Sequence, residues 1–314
     1  MTLHPEIARV LADMPAPAPG PLDPAAMRAD EQAQVAPLDE RLPVHDVRDT
    51  VARTPSRDVP VRIYTPAKAA SYGLMVYFHG GAFFLGDLDT HDHIARHLAV
   101  ATGLAVISVD YRRAPEAAFP AGLDDCAAVV RWAAEHTELQ WNGQVLAIAG
   151  DSSGGTFVAA VAAMAHDDGF DRITHQILFY PSLDLDFDPD RYPSLRDNAV
   201  GFGMPTAALK PFNAFYIDSG ADPDDPRVSP IKRADLSGLP AALIVTGEHD
   251  PLRDEGELYG QRLREAGVPS VVSRYAGAGH GFVQHFSWIP EYHRVFAETA
   301  AFIDGTRSPS AGES

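Results

Sequence analysis

The chain has a single cysteine, Cys126, in 314 residues, which excludes an intramolecular disulfide as a source of stability. Lysine is almost as scarce: Lys68, Lys210 and Lys232 are the only three, and arginine supplies the remaining basic side chains. That scarcity reads as compositional bias. Adaptation to salt is the alternative, decided by activity and stability measured from low to molar salt. Positive charge is short overall, with 25 basic against 43 acidic residues and a net charge of −18. Nucleic acid and anionic membrane surfaces would both repel such a chain, so neither is expected as a partner. No apolar run approaches the ~20 residues that a membrane-spanning helix requires. The start, Met1-Thr2-Leu3-His4-Pro5-Glu6, lacks the basic residues and apolar core of a secretory signal, so the expected compartment is the cytoplasm. No internal repeat and no cofactor-binding motif is present. Asp89, His91, Asp92 and His93 are metal-ligand types, but the cluster reads as the start of a helix with Thr90 as its cap.

What is present is an ordinary globular composition, 46% hydrophobic and 22% charged, in a length suited to one large α/β domain with an accessory segment. Residues 1–45 stand apart. Leu3–Met14 has helical spacing, Pro15–Pro21 is too rich in proline for helix or central strand, and Asp23-Pro24 marks the start of a second helix. From about residue 46 strands and helices alternate. Strands are expected at Val59–Tyr64, Leu74–Phe78, Leu104–Val109, Val145–Ala149, Ile173–Tyr180, Ala242–Thr246 and Ser270–Tyr275. Helices are expected at His91–Thr102, Gly122–Glu135, Thr156–Met164, Pro251–Ala266 and Glu291–Ile303. Such alternation predicts a mostly parallel sheet covered by helices on both faces. The polar, turn-rich stretch 184–225 interrupts it, with a helical piece at Ala207–Tyr216, and reads as a lid or as a long surface connection. The tail Gly305–Ser314 is small and polar, and is expected to fray.

The most informative stretch is Gly150-Asp151-Ser152-Ser153-Gly154-Gly155. An apolar run precedes it and a helical run follows. Strand, Gly-x-Ser-x-Gly, helix is the setting of a nucleophile elbow, in which a sharp turn lifts the serine hydroxyl above the sheet edge. An activated serine needs a base, and the base needs an orienting acid, in the chain order Ser, Asp or Glu, His. Asp250 stands where a strand ends and a helix begins, a position that also suits a plain helix cap. His280 lies in the glycine-rich loop after the last strand, unlike most of the other twelve histidines. Asp254 and Glu255 fall inside the helix, His285 and His293 fall past the loop, and His249 faces elsewhere if Asp250 faces the site. Gly80-Gly81, after a buried strand, can aim backbone N–H groups at an oxyanion, joined by the N–H of Ser153.

These residues resemble the hormone-sensitive lipase-like carboxylesterases, the bacterial family IV esterases of the α/β-hydrolase superfamily. The resemblance rests on His79-Gly80-Gly81, Tyr111-Arg112-Arg113-Ala114-Pro115-Glu116, Phe119-Pro120-Ala121, the Gly150–Gly155 elbow, Asp250–Gly256 and His280-Gly281-Phe282, spread over roughly residues 60 to 282. It implies an α/β-hydrolase fold over residues 46–314, with residues 1–45 and about 184–216 forming a helical cap. It implies Ser152 as nucleophile, His280 as base, Asp250 as orienting acid, and Gly80, Gly81 and Ser153 as oxyanion donors. It also implies a small ester substrate, no cofactor or metal, and a homodimer as the candidate assembly. Two positions depart from the family pattern: Ala82 replaces the usual third glycine, and Ser153 replaces the usual alanine. The expected activity is hydrolysis of short- to medium-chain acyl esters through an acyl-enzyme. Phe83, Phe84, Phe202, Phe212 and Tyr216 are expected either to line an apolar pocket or to pack the core and cap. The alternatives are another carbonyl substrate (lactone, carbamate or formyl amide) or a non-catalytic receptor.

Overall fold

The computed structural model describes residues 2–13 and 20–306. Met14–Pro19 and 307–314, which hold most of the proline-rich stretch and of the tail, lie outside the described residues. Eight strands form one sheet: β1 (Asp46–Arg53), β2 (Asp58–Thr65), β3 (Tyr72–Phe78), β4 (Ala105–Val109), β5 (Trp141–Asp151), β6 (His175–Phe179), β7 (Ala241–Gly247) and β8 (Ser270–Tyr275). Their order is β1-β2-β4-β3-β5-β6-β7-β8. β2 pairs antiparallel with β1 and β4, and every pairing from β4 to β8 is parallel.

The middle strands are buried on both faces, so their side chains divide by the period of two between two cores. Leu74, Val76 and Phe78 of β3 pack into one core with Val129, Val158 and Leu263. Met75 and Tyr77 pack into the other with Ile94, Leu98, Val295 and Phe296. The first core is covered by α4 (Ala121–Glu135), α5 (Ser153–Asp167) and α8 (Arg253–Glu265), the second by α3 (Asp92–Thr102) and α10 (Pro290–Thr306).

Shorter pieces surround the C-terminal ends of the strands: α1 (Pro5–Asp13), α2 (Pro24–Gln32), α6 (Ser194–Asp197), α7 (Thr206–Ile217) and α9 (Phe282–Phe286). The second helix begins as its sequence predicts, with Asp23 Oδ1 accepting from the N–H groups of Ala25 (2.9 Å) and Ala26 (3.3 Å) ahead of Pro24. The expectation for Thr90 is overturned. The helix starts at Asp92 with His91 before it and no side-chain cap, while the Thr90 hydroxyl accepts from the Asp87 N–H at 2.9 Å.

α1 buries Ile7 and is tied by the His4 N–H to Gly277 O (2.9 Å), in the loop that carries His280. α2 reaches the loop after β3: Arg28 donates to Phe84 O (2.7 Å) and Ala114 O (2.8 Å), and Glu31 accepts from the Gly86 N–H (3.0 Å). Among the described residues, no helix is long and apolar enough to cross a membrane.

Candidate active site

β5 runs into α5 through a turn that only this sequence pattern permits. Ser152 sits at φ 51°, ψ −118°, a conformation that costs a non-glycine residue on the order of 1–3 kcal/mol and survives only where its surroundings enforce it. The enforcement is close packing. A Cβ on Gly154 would lie 2.1 Å from Phe78 O, and one on Gly150 would lie 2.5 Å from the Gly154 carbonyl. The bare glycines let the helix start press against the end of β3. The Ser152 N–H donates to Phe179 O at 2.9 Å, which secures the turn to the neighbouring strand.

Two further loops bring partners to the hydroxyl. His280 Nε2 lies 2.9 Å from Ser152 Oγ, and His280 Nδ1 lies 2.8 Å from Asp250 Oδ2. The Asp250 side chain is 1% exposed, and its other oxygen, Oδ1, accepts from the Leu252 N–H at 2.7 Å. The helix-cap reading of Asp250 does not hold, since α8 starts at Arg253 after Leu252 with no side-chain cap; Oδ1 instead secures the turn before the helix while Oδ2 faces the imidazole. The two loops are cross-linked by the N–H of Glu248 to Tyr275 O (3.0 Å) and of His249 to Ala278 O (2.8 Å). Glu248 Oε2 also accepts from the Gly277 N–H at 2.8 Å. The His249 ring turns away from the site and lies parallel to Phe202, with centroids 4.4 Å apart.

The loop after β3 differs from its expected form. The Gly80 N–H, expected to face an oxyanion, donates instead to Asp151 Oδ1 at 2.8 Å and is therefore occupied. Among the described residues, the N–H groups of Gly81, Ala82 and Ser153 donate to no backbone or side-chain acceptor. Asp151, named in the elbow motif but given no role from sequence, anchors this loop. Its carboxylate also accepts from Tyr77 OH (2.5 Å) and lies 3.7 Å from His91 Nε2. Burial alone would raise its pKa, but His91, the Tyr77 hydroxyl and His79 outweigh burial and bring it down to about 2. His79 is buried against Tyr111, and that burial depresses its pKa to about 3, so it is a neutral ring.

The aromatic residues are packed against one another. Phe83 stacks on Tyr216 at 3.9 Å and meets Phe157 edge-on, while Phe84 meets Phe212 and Phe215. Phe83, Phe84 and Tyr216 are at most 3% exposed, so they support the loop from behind and have no face free for a ligand. Phe202 covers His249. Of the five aromatic candidates for a pocket lining, the structure gives all five packing partners. Among the described residues, no group of three or more His, Cys, Asp or Glu side chains is gathered to hold a metal ion.

A hydroxyl held on a strained turn at the C-terminal edge of this sheet, within reach of an imidazole backed by a buried carboxylate, can be deprotonated as it attacks a carbonyl. Sheet order and elbow define the class: the protein is an α/β hydrolase. The family model described as alpha/beta hydrolase fold matches residues 75–284. The chain is similar to carboxylesterase NlhH of Mycobacterium tuberculosis, 41% identical over 239 residues, with 74% of each chain covered. It is also similar to an arylesterase of Saccharolobus solfataricus, 38% identical over 253 residues with 80% of each covered. Among solved structures, a hyperthermophilic esterase of Pyrobaculum calidifontis superposes with a TM-score of 0.88 at 33% identity, covering 98% of this chain and all of that one. Within the α/β hydrolases, the chain belongs to the hormone-sensitive lipase-like carboxylesterase family.

Proposed function

We propose that the protein hydrolyses short- to medium-chain carboxylic esters through a covalent acyl-serine. The observation that carries this reading is the continuous hydrogen-bonded chain Ser152–His280–Asp250 at 2.9 and 2.8 Å. Ser152 Oγ attacks the ester carbonyl carbon while its proton passes to His280 Nε2. Asp250 holds the ring in the tautomer that leaves Nε2 free to accept, and it stabilises the imidazolium that results. The carbonyl oxygen becomes an oxyanion facing the free N–H groups of Gly81, Ala82 and Ser153, in place of the Gly80 donor expected from sequence. Collapse of this adduct breaks the C–O bond, and the leaving alcohol takes the proton from Nε2. Water then gives a proton to His280 as it attacks the acyl carbon; the acyl C–Oγ bond breaks, Oγ takes that proton back from Nε2, and the acid leaves with Ser152 and His280 restored.

Residues 1–45 and about 184–216 form the cap in this reading, supported by the contacts of α1 and α2 with the two loops and of α7 with Phe83 and Phe84. The cytoplasm is the proposed compartment, on the strength of the lone, buried Cys126. A homodimer is the proposed assembly, supported by β8, an outer strand of the sheet with Val271 46% exposed. Hydrolysis of p-nitrophenyl esters from acetate to palmitate, with Ser152→Ala as control, tests the activity. Turnover of the shorter chains that vanishes in the variant is expected. A folded protein that turns over none of them would redirect the reading to lactones, carbamates, formyl amides or a receptor.

A further inference from the structure

The acid and histidine loops rest on a segment that belongs to neither. Ser194, at the start of α6, is completely buried. Its N–H donates to Asp254 Oδ2 (2.7 Å), its hydroxyl donates to Pro251 O (2.7 Å), and the Asp254 N–H donates back to that hydroxyl (3.2 Å). One turn later comes Asn198, 4% exposed, whose Nδ2 donates to the carbonyls of both Asp250 (2.9 Å) and Glu248 (3.3 Å). Those two carbonyls bracket the turn that aims the Asp250 carboxylate at His280. Arg253 is the other donor there: its Nη1 reaches Glu248 O at 2.9 Å and its N–H reaches Asp250 O at 3.2 Å, but Arg253 belongs to the acid segment itself. Further along, the Phe202 ring lies flat on His249, and Phe202 O sits so close to Gly279 that a Cβ there would come within 2.6 Å of it. Segment 194–202 therefore grips the acid turn from one side and the residue before His280 from the other.

We propose that Asn198 is a positioning residue for ester hydrolysis, its side-chain amide locking the Glu248–Asp250 turn so that the carboxylate stays aligned with His280. This inference rests on Ser152, His280 and Asp250 being the reacting groups. An aspartate carboxylate has only two rotatable bonds between it and the backbone, so a shift in the turn is transmitted almost undamped to the imidazole. Misplacement by about an ångström costs on the order of 10²-fold in rate. Asn198 touches no substrate, so its loss acts on the chemical step and leaves the binding of ester largely unchanged.

The experiment compares Asn198→Ala, which deletes the donor, and Asn198→Asp, which keeps the shape and replaces the donor with an acceptor. The control is Asn213→Ala. Asn213 is a similarly buried amide that, among the described residues, donates only to Leu209 O of its own helix (2.8 Å). Kinetics on a p-nitrophenyl ester and the thermal midpoint are measured for each, with Ser152→Ala in parallel. The expected result is a fall in kcat of tenfold or more in both Asn198 variants with KM within about threefold, and an unchanged kcat in Asn213→Ala. If one Asn198 variant fails to fold, the other decides. A folded Asn198 variant with kcat within twofold of the parent overturns the inference, as does an equal loss in Asn213→Ala. Turnover retained in Ser152→Ala would instead overturn the underlying reading of the reacting groups, and the inference with it.

Discussion

Two carboxyl groups are fully buried on opposite flanks of the site, and their surroundings drive them in opposite directions. Asp151, behind the loop after β3, meets the Tyr77 hydroxyl, the Gly80 N–H and His91, and its pKa is held down to about 2. Glu255, on α8 behind the acid turn, is 0% exposed, and its Oε1 accepts from the Leu183 N–H at 2.6 Å. Its Oε2 has no hydrogen-bond partner among the described residues. Burial pushes its pKa well above the ordinary range, and the charges of Asp184 and Asp250 add to the push. Burial is common to both, so the donors that face each group decide which stays charged. The ionised Asp151 acts as an anchor for a loop. Glu255, with a single donor facing it, fills space behind the acid turn and takes on negative charge less readily than an ordinary glutamate.

The largest effect that would break this contrast comes from removing the anchor. Asp151→Ala leaves the Tyr77 hydroxyl and the Gly80 N–H unpaired in the core, a loss of about 3–5 kcal/mol by analogy with other broken buried pairs. The loop it released would no longer hold Gly81 and Ala82 in place, so kcat should fall about 10²-fold. Chemical denaturation and ester kinetics on the folded fraction check both. A loop that keeps its activity without Asp151 would show that the packing of Phe83 and Phe84 suffices to hold it.

The second way to test the contrast is through pH. Asp151 has a folded pKa near 2 against an unfolded value of about 3.9. The unfolded chain therefore binds the proton first, and the stabilisation is fully present above about pH 4 and lost as pH falls toward 2, on the order of 2 kcal/mol. Glu255 has the opposite sign. Its folded pKa lies above its unfolded value, so the folded chain holds more protons between the two, and stability declines as pH rises through that window. Glu255→Gln needs no proton to stay neutral and can keep the bond to the Leu183 N–H. The variant should match the parent at low pH, where Glu255 is protonated in both states, and gain on it as pH rises. Thermal midpoints across pH 4–8 give the answer. A gap that stayed constant with pH would show that Glu255 is ionised in the fold.

Seven of the eight strands are legible in the sequence: β2 to β7 because their apolar runs report burial directly, and β8 although only its Tyr275 is buried. β1 is not legible: only Ala52 is buried there, and Asp46, Arg48, Asp49 and Arg53 break up its apolar residues, whereas β8 keeps Val271-Val272 together. Ser152, Asp250 and His280 could be picked out because each is bound to a local pattern: a glycine turn, a strand end, a glycine-rich loop. The free N–H groups could not. Gly80 and Ala82 look alike as donors until Asp151, 71 residues away, is seen to occupy one of them. Asn198 meets carbonyls of the distant acid turn and Glu255 meets the Leu183 N–H 72 residues away, and no short motif encodes such contacts. The aromatic candidates were ambiguous for the same reason, since a Phe that stacks on Tyr216 and a Phe that lines a cavity have one sequence signature.

The smallest effects sharpen the oxyanion side of the comparison. Ala82 and Phe83 both adopt positive φ, 49° and 67°, a conformation that an L-residue pays about 1–2 kcal/mol to occupy. A compensating contact is present at the second departure from the family pattern: the Ser153 hydroxyl accepts from the Phe83 N–H at 3.2 Å. An alanine at 153 would keep its own backbone N–H but leave that of Phe83 buried without a partner. Ser153→Ala should therefore cost about 1 kcal/mol and lower kcat by a few-fold. Ala82→Gly relaxes the same loop from the other side, and the stability gained at positive φ is offset in part by the added freedom of glycine in the unfolded chain, leaving a net change within about 1 kcal/mol. If the hydroxyl serves to hold the strained Ala82–Phe83 pair, the two substitutions are coupled, and Ser153→Ala should cost less once residue 82 is glycine. A double-mutant cycle in kcat and unfolding free energy measures that coupling. Strict additivity would mean that the serine stabilises the start of α5 alone, and that Asp151 holds the loop without its help.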